Sequence, residues 1–480
     1  LDYDDLLLYW AAMLRDPTVA ADIGARFDHI LVDEYQDTNR LQAAILLALK
    51  PDGRGLTVVG DDAQSIYSFR AATVRNILEF PASFTPPARM VTLDRNYRST
   101  APILDAANAV IAEAEERFTK NLWTERQSAM KPQLVTVRDE PGQALYVVEQ
   151  VLAEREAGTA LKQQAVLFRA SSHSGPLEIE LTRRNIPFVK YGGLKFLDSK
   201  HVKDMLALFR FIDNPRDRVS GFRVLQLLKG IGPGGAGRIL DALDGAPRPI
   251  DALAALPAPA RAEGWVSLVE LVTDLADRSS PWPAGFSRAR LWYEPLLEDN
   301  HEDAQIRLQD LLQLEQIAAG YPSRERFLTE LTLDPPDASS DLSGDGPKDE
   351  DYLILSTIHS AKGQEWRSVH ILNAVDGCIP SDLGTGSTHE LEEERRLLYV
   401  AMTRARDALH LVIPQRFFVT QQHKYGDRHL YAQRTRFITR AMLPLYDDIL
   451  WPPLKPLADI VPTAAPKIDI RAQMRGMWAK

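Results

Sequence analysis

The 480-residue chain contains a single cysteine, Cys378, and has no surplus of basic residues. One cysteine excludes an intramolecular disulfide framework and any cysteine-rich metal site. The formal net charge of −10 argues against a protein that is basic over its whole surface. No run approaches the roughly 18 consecutive apolar residues of a transmembrane helix, and the first residues lack the basic region of a signal peptide. We therefore expect a cytoplasmic protein without a membrane partner.

The chain also lacks a glycine-rich loop ending in Gly-Lys-Ser or Gly-Lys-Thr, the phosphate-binding loop of many ATPases. Its glycine-rich segment, KGIGPGGAGRI at 229–239, has no such ending and is therefore a different feature. It is compatible with a helix–hairpin–helix turn that offers backbone amides to DNA phosphates. A plain turn between two helices is an equally good interpretation.

Apolar runs that end in acidic residues alternate with helical segments near the start of the chain. HILV at 29–32 runs into Asp33, a helical pattern covers 39–50, and LTVV at 56–59 leads to Asp61. A strand–helix–strand unit predicts a parallel sheet that is buried on both faces. Ligands of such sheets lie beyond the carboxyl ends of the strands, where both aspartates fall.

A second α/β region is predicted further along the chain. Its expected strands are at 90–93, 165–168, 187–191, 352–357, 368–373 and 408–413. The residues from about 205 to 350 have a mainly helical pattern, and the acidic, Ser/Gly-rich segment 334–351 is typical of a linker. The pattern predicts a helical domain inserted between two halves of an α/β domain.

Asp33 and Glu34, at the end of a predicted strand, suit metal-assisted phosphoryl transfer. One carboxylate would hold Mg²⁺, and its neighbour would orient or deprotonate the attacking water. Two acidic residues after a strand are by themselves more often a turn or a helix cap. The extension to DEYQD, with GDDAQS after a second strand, favours the catalytic interpretation. Gln64 in the second segment could hydrogen-bond the water or the γ-phosphate of ATP.

Two further segments place aromatic residues beside arginine. In IYSFR at 66–70, Tyr67 and Phe69 would stack on bases while Arg70 contacts the backbone, although the spacing fits buried aromatics equally well. In NYRS at 96–99, Tyr97 could stack on adenine and Arg98 could neutralise a γ-phosphate.

Another phosphate-binding arginine is expected after the charged segment EEERR. That segment begins a predicted helix, and its residues 392 and 396 are spaced for an i,i+4 ion pair. Arg404 lies beyond these charges, between Thr403 and Ala405.

Together these segments resemble the UvrD/Rep/PcrA group of superfamily 1 helicases, from the first residues to about 440. The motifs occur in the family's order: LDYDDLL (1–7), VDEYQD (32–37), GDDAQSIYSFR (60–70), NYRS (96–99), YGGLKFLDSKHVKD (191–204), TIHSAKGQEW (357–366) and EEERRLLYVAMTRAR (392–406). The resemblance implies an α/β fold of two RecA-like (P-loop NTPase) domains, with ATP in the cleft between them.

The resemblance also implies the domain limits. Residues 1–24 would end the inserted subdomain of the first RecA-like domain, which would be incomplete, and 25–86 would be its carboxyl-terminal half. The second domain would comprise 87–205 and 351–440, interrupted by a mostly helical insertion at 206–350. Residues 441–480 would form a tail.

Roles for individual residues follow from the same resemblance. Asp33 would bind Mg²⁺, Glu34 would be the catalytic base, Gln64 would sense the γ-phosphate, and Arg98 and Arg404 would be arginine fingers. The other nucleotide contacts would come from Tyr97 on adenine, Glu365 on the ribose, and Gly363. The residues along the DNA path would be Tyr67, Phe69, Arg70, Thr357 and His359.

The predicted function is an ATP-dependent 3′–5′ DNA helicase, with the polarity implied by resemblance alone. Expected partners are single-stranded and duplex DNA, together with repair or replication proteins. The family's Walker A lysine and adenine-reading segment are not among these 480 residues. We therefore interpret the chain as a helicase without its front part and expect it to be inactive alone.

Two other interpretations of the sequence remain. The first is a non-catalytic remnant that binds DNA or a protein partner. A weaker one is a carboxylate nuclease that uses Asp33, Glu34 and Asp37.

Overall fold

The structure is a computed structural model that describes residues 3–68, 71–118, 120–192, 196–259, 261–277, 282–300, 304–332, 351–382, 386–418 and 429–453. Phe69 and Arg70, which were expected to contact DNA, lie outside the described residues, as does the expected linker except for Asp351. No helix among the described residues is both long enough and apolar enough to cross a lipid bilayer.

A small α/β unit opens the chain. Its elements are helices α1 (Tyr3–Met13) and α2 (Pro17–Ala25), strand β1 (Ile30–Val32), helix α3 (Arg40–Leu49), strand β2 (Leu56–Val58) and helix α4 (Arg75–Glu79). The two strands pair in parallel, as the strand–helix–strand pattern predicts. The expected burial of both faces is wrong, because the middle residue of each strand is exposed, with Leu31 at 77%. Helix α3 begins at a capping box, in which Asn39 and Gln42 each accept the other's backbone N–H at 2.9 Å.

The predicted strand at 90–93 is wrong. These residues form no strand, and Met90, Val91 and Leu93 are 60%, 68% and 82% exposed. An apolar run becomes a strand only when another strand offers its backbone for pairing. The nearest pairing is an isolated bridge between Arg95 and Trp123.

The rest of the described chain forms the second α/β unit and its insertion. In chain order the elements are α5 (Ala101–Ala112), β3 (Gln133–Asp139), α6 (Glu140–Glu156), β4 (Gln164–Phe168), α7 (Gly175–Arg183), β5 (Phe188–Tyr191), α8 (Lys200–Asp213), α9 (Arg218–Leu225), α10 (Pro233–Asp244), α11 (Pro249–Ala255), α12 (Trp265–Ala276), α13 (Ala284–Asn300), α14 (Ala304–Ala319), α15 (Arg324–Thr332), β6 (Leu353–Thr357), β7 (Trp366–Ile371), α16 (Thr388–Met402), β8 (Ala405–Phe418), β9 (His429–Tyr431) and β10 (Asp447–Leu450).

The large sheet has the strand order β10-β3-β8-β7-β4-β6-β5, with all of these neighbours parallel. Strand β9 pairs antiparallel with the end of β8. Residues 447–450, in the expected tail, pair with β3 and therefore extend the sheet at its edge.

Two helical layers cover the large sheet. Helices α5 and α16 pack on one face, against side chains such as Val369 and Ile371 of β7. Helices α6 and α7 pack on the other face, against side chains such as Val166 of β4 and Val412 of β8. Because successive side chains of a strand point to opposite faces, Ser368 and His370 of β7 lie on the α6 side.

The insertion, α8 to α15, has its own apolar core. Helix α8 lies at its centre. The ring of Phe209 on that helix packs against the ring of Phe286, with the ring centroids 5.1 Å apart. The chain leaves the sheet after β5 and returns at β6, and these two strands pair with each other. Helices α9 and α10 are joined through Gly230, which has φ +91°. A Cβ atom at this position would lie 1.7 Å from the Arg261 carbonyl oxygen, so only glycine fits.

Candidate functional site

The acidic residues after β1 lie on a tight, exposed turn. Glu34 has φ 50°, a left-handed conformation that is uncommon for a residue other than glycine, and its N–H donates to Asp33 Oδ1 at 2.9 Å. Gln36 holds this turn, because its side-chain amide donates to the Glu34 carboxylate and accepts from the Asp61 N–H at 3.0 Å. Gln36 is fully buried and connects the ends of β1 and β2.

Gln64 is fixed beside that turn. It ends a short 3₁₀ helix, Asp62–Gln64, and its side-chain Nε2 donates to Asp61 Oδ2 at 3.0 Å. Lys120 binds the Asp61 carboxylate and lies 3.7 Å from Asp62 Oδ1. The side chains of Glu34 and Gln64 are therefore anchored at the same end of the small sheet.

Lys362 joins the first unit to the second. Its Nζ donates to Asp37 Oδ2 at 2.5 Å and to the Gln64 carbonyl at 2.8 Å, and it lies 3.5 Å from Glu34 Oε2. The lysine side chain is only 7% exposed. Burial raises the pKa of Asp37, and the charge of Lys362 opposes that rise. The ion pair thus compensates two charges that are largely removed from water.

Arg98 is held by Glu365. The Arg98 Nε donates to the Glu365 carboxylate, and Nη1 donates to the Thr403 carbonyl at 3.3 Å. Glu365 also accepts a bond from Arg406 Nη1 at 3.2 Å. The hydrogen bond from Arg98 is the main reason that the pKa of Glu365 is lowered. The residue expected to hold a ribose is therefore paired with two guanidinium groups.

Arg404 is a buried cation surrounded by neutral oxygens. It is 2% exposed and donates to Val400 O at 3.0 Å, Gln364 O at 3.2 Å and Thr403 Oγ1 at 3.3 Å. Within the described ranges no carboxylate lies at ion-pair distance from it. Burial, together with the charge of Arg98, lowers the pKa of Arg404 to about 10. Such a guanidinium is stabilised by any anion that reaches it.

An aromatic surface lies beside Arg98. Tyr97 is 74% exposed. The Arg95 guanidinium carbon is 4.9 Å from the centre of the Tyr97 ring and 5.4 Å from that of Trp123. A cation over one ring face holds the side chain in position. The exposed ring of Tyr97 can therefore accept a planar ligand.

Three of the residues expected along DNA meet at the segment 357–363. Tyr67 donates its hydroxyl to the His359 carbonyl at 3.1 Å. Thr357 Oγ1 donates to Ser360 Oγ at 3.0 Å. Burial, with the charge of Arg169, lowers the pKa of His359 to about 4, so the imidazole is neutral at pH 7. Gly363 ends this segment at φ +84°, with open space around it.

Helix α16 contacts the first unit through residues expected only to stabilise the helix. The predicted pair of residues 392 and 396 is wrong, because Glu392 pairs with Arg395 at 3.2 Å. Arg396 is buried and its Nε donates to the Ser65 carbonyl at 2.8 Å. Glu393 accepts the Ser68 N–H at 3.1 Å. The density of charges at the start of a buried helix was the available signal for these contacts.

Known proteins are similar to this chain in sequence. The family description "UvrD/REP helicase N-terminal domain" matches residues 1–85, and "UvrD-like helicase C-terminal domain" matches 91–244 and 294–416. The ATP-dependent DNA helicase PcrA of Staphylococcus epidermidis RP62A is 33% identical over 437 residues, which cover 86% of this chain and 58% of that protein. The PcrA of Staphylococcus aureus NCTC 8325 is 31% identical over 445 residues, with the same shares. The chain thus spans 58% of the length of these relatives.

Proposed function

The chain belongs to the UvrD/REP helicase family, and from this premise we propose that it serves ATP-dependent 3′–5′ translocation on single-stranded DNA with unwinding of duplex DNA. One observation carries the proposal: the guanidinium groups of Arg98 and Arg404 both contact Thr403. The segment 357–366 ties this cationic pair to the acidic strand ends of the first unit, through Lys362. Phosphoryl transfer between two RecA-like units needs such opposed charges.

The donor set fits a nucleoside triphosphate with Mg²⁺. Arg404 is buried without a carboxylate partner among the described residues, so a phosphate would supply the compensating charge. Asp33 would hold the ion, which when bound neutralises charge on the phosphates. Glu34 would orient the attacking water and accept its proton, while Gln64, anchored by Asp61, would contact the γ-phosphate.

The remaining nucleotide contacts follow from exposure and pairing. Tyr97 would stack on adenine, since its ring is exposed and is backed by Arg95. Glu365 and Gly363 would lie at the ribose. Glu365 would then exchange part of its present pairing with Arg98 and Arg406 for the sugar hydroxyls, and Arg98 would become free to bind phosphate.

Tyr67, Thr357 and His359, with Phe69 and Arg70, would line the DNA path. Lys362 supports a link between this path and the nucleotide, because it contacts Asp37 on one side and lies 5.1 Å from the centre of the Tyr67 ring on the other. A change in the charge around Glu34 would therefore shift Lys362 and, through it, the ring of Tyr67 on the DNA path. Partners among repair or replication proteins remain part of the proposal.

The domain limits are also proposed. Residues 25–86 would be the carboxyl-terminal half of the first RecA-like domain, preceded at 1–24 by the end of its inserted subdomain. Residues 87–205 and 351–440 would form the second domain around the insertion 206–350, and residues 447–450 of the expected tail add strand β10 to its sheet. The separate apolar core of α8 to α15 supports an insertion that moves as one body.

The test joins these 480 residues to a family N-terminal segment that carries a Gly-Lys-Thr loop and measures ATP hydrolysis with single-stranded DNA. We expect DNA-stimulated turnover that falls at least about 100-fold with Glu34→Gln or Arg404→Ala. Turnover that these substitutions leave unchanged would overturn the assignment. The 480 residues without that segment should hydrolyse ATP no faster than their Glu34→Gln variant.

A second candidate is a non-catalytic module that binds DNA or a protein partner. The observation in its favour is that no Gly-Lys-Ser or Gly-Lys-Thr loop occurs in the 480 residues. It would be preferred if the joined protein bound single-stranded DNA tightly, folded cooperatively, and showed no turnover.

A further inference from the structure

A histidine pair lies inside the second unit, apart from the site described above. His370 of β7 and His410 of β8 are in register on neighbouring strands, with their rings stacked at 4.5 Å between centroids. Both are buried. His370 lies five residues along the strand from Glu365, a distance of about 16 Å. The pair is therefore separate from the nucleotide-facing ends of these strands.

His370 is a buried polar residue whose ring is unpaired among the described residues. The residue is 0% exposed, and neither ring nitrogen has a partner within the described chain. Buried polar groups in folded proteins are nearly always satisfied, and an orphaned group indicates a missing ligand or a functional role. An imidazole with both nitrogens unused is therefore available to bind something that the apolar surroundings do not supply.

Glu154 of α6 completes a three-residue donor set. A carboxylate oxygen of Glu154 and one ring nitrogen of each of His370 and His410 all lie within 4.8 Å of one another. The separation of His410 Nε2 and Glu154 Oε1 is 3.5 Å, close to the roughly 3.3 Å between donors of a tetrahedral zinc ion with bonds of about 2.0 Å. The His370 ring is not restrained by a hydrogen bond to any of the described residues.

Outer contacts already orient the two other ligands. The Tyr146 hydroxyl is 2.8 Å from His410 Nδ1 and, where that nitrogen carries the proton, the Nε2 lone pair is free for a metal ion. Ser368 Oγ donates to Glu154 Oε1 at 2.9 Å.

We propose that Glu154, His370 and His410 bind one divalent ion of the zinc class. Two imidazoles and one carboxylate are a donor set that Zn²⁺ accepts, with a water in the fourth position. The ion would fasten α6 to β7 and β8. Because both histidines are buried and Glu154 is partly buried between α6 and the sheet, the role of the ion would be structural.

The experiment measures metal binding by the full 480-residue chain after dialysis against a chelator and then against micromolar Zn²⁺. We expect one Zn²⁺ per chain by elemental analysis, and Co²⁺ in its place should give the visible absorption of a tetrahedral site. His370→Leu and His410→Leu should each lose the ion. His389→Ala, which removes an exposed histidine, should retain it.

Thermal unfolding supplies a second measurement that does not depend on stoichiometry. Added Zn²⁺ should raise the midpoint of the wild-type chain by several degrees and leave that of His370→Leu unchanged. Leucine removes a buried unsatisfied group, so this variant is expected to fold. Absence of bound zinc in the wild-type chain, or equal binding by His370→Leu, would overturn the proposal and leave a metal-free Glu154–His410 contact.

Discussion

Replacing Lys362 by methionine tests the contact that joins the two α/β units. Methionine has a similar length and no charge, so the change leaves the Asp37 carboxylate buried beside an apolar side chain. Asp37 Oδ1 already lacks a hydrogen-bond partner in the described part of the chain, and Oδ2 would lose its bond of 2.5 Å to the lysine. The variant should therefore be destabilised mainly through the carboxylate that remains.

The magnitude follows from the burial of the pair. Removing one partner of a buried ion pair costs about 3–5 kcal/mol. The side chains of Lys362 and Asp37 are 7% and 21% exposed, so we take the lower end, about 3 kcal/mol. For a domain of about 150–250 residues, 1 kcal/mol corresponds to about 2–4 °C of thermal stability. The thermal unfolding midpoint of Lys362→Met should therefore be lower by about 6–12 °C.

A double-mutant cycle gives the assay. Asp37→Asn removes the charge of the partner, and Lys362→Met combined with Asp37→Asn should be more stable than Lys362→Met alone. The control is Lys203→Met, because Lys203 pairs with Asp198 at the surface and both side chains are 46% exposed. That change should cost about 1 kcal/mol or less.

The pH dependence separates the carboxylate from simple loss of packing. Without Lys362 the pKa of Asp37 rises further above its unfolded value, so the penalty is absent below that value and grows as the pH rises through the folded pKa. The deficit of Lys362→Met should therefore shrink as the pH falls from 7 toward the unfolded pKa of an aspartate, about 3.9. A shift below 2 °C at pH 7, or additivity in the cycle, would refute the reasoning.

Three further predictions use the same structure. Arg404→Ala in the joined protein should lower DNA-stimulated ATP turnover by about 10³-fold while leaving the Kd for single-stranded DNA unchanged; a parallel loss of DNA binding would contradict the assignment. The pKa of His359 is lowered to about 4 from 6.5, so the free energy of unfolding should fall as the pH drops through this window, by about 2 kcal/mol at pH 5. In His359→Gln the free energy of unfolding, measured by urea denaturation at each pH, should depend less steeply on pH. Gly192→Ala, at φ +83° and against Thr357, should lower the unfolding midpoint more than Gly158→Ala, which has φ +96° and open space.

The strands with strong apolar runs were predictable from sequence. Strands β4 and β6 lie where AVLF and YLILST indicated them, since a strand buried on both faces leaves a continuous apolar signature. Strand β1 also lies where HILV indicated it, although Leu31 in its middle is 77% exposed. The run at 90–93 has the same signature and stays unpaired. Whether a partner strand is present is a non-local property that a local pattern does not contain.

The motifs indicate the residues of the candidate site, but the residues that pair with one another there lie far apart in sequence. The ion pair of Lys362 and Asp37 spans 325 positions, and neither residue's neighbours indicate the other. The same holds for Glu154, His370 and His410, whose assembly depends on strand register and on the helix above it. Sequence spacing identifies ligands only where they share one element or one turn.

The insertion occupies the place of an ordinary crossover helix between neighbouring parallel strands. Tyr191 ends β5 and Leu353 begins β6, with about 160 residues between two strands that a connection of about a dozen could join. Closing so long a chain costs only about 2 kcal/mol more than closing the short one, because loop entropy grows logarithmically. If the insertion folds first on its own core, the effective loop becomes short again. The edge of the large sheet would then assemble after the insertion, and its folding rate would depend on helices that lie outside the sheet.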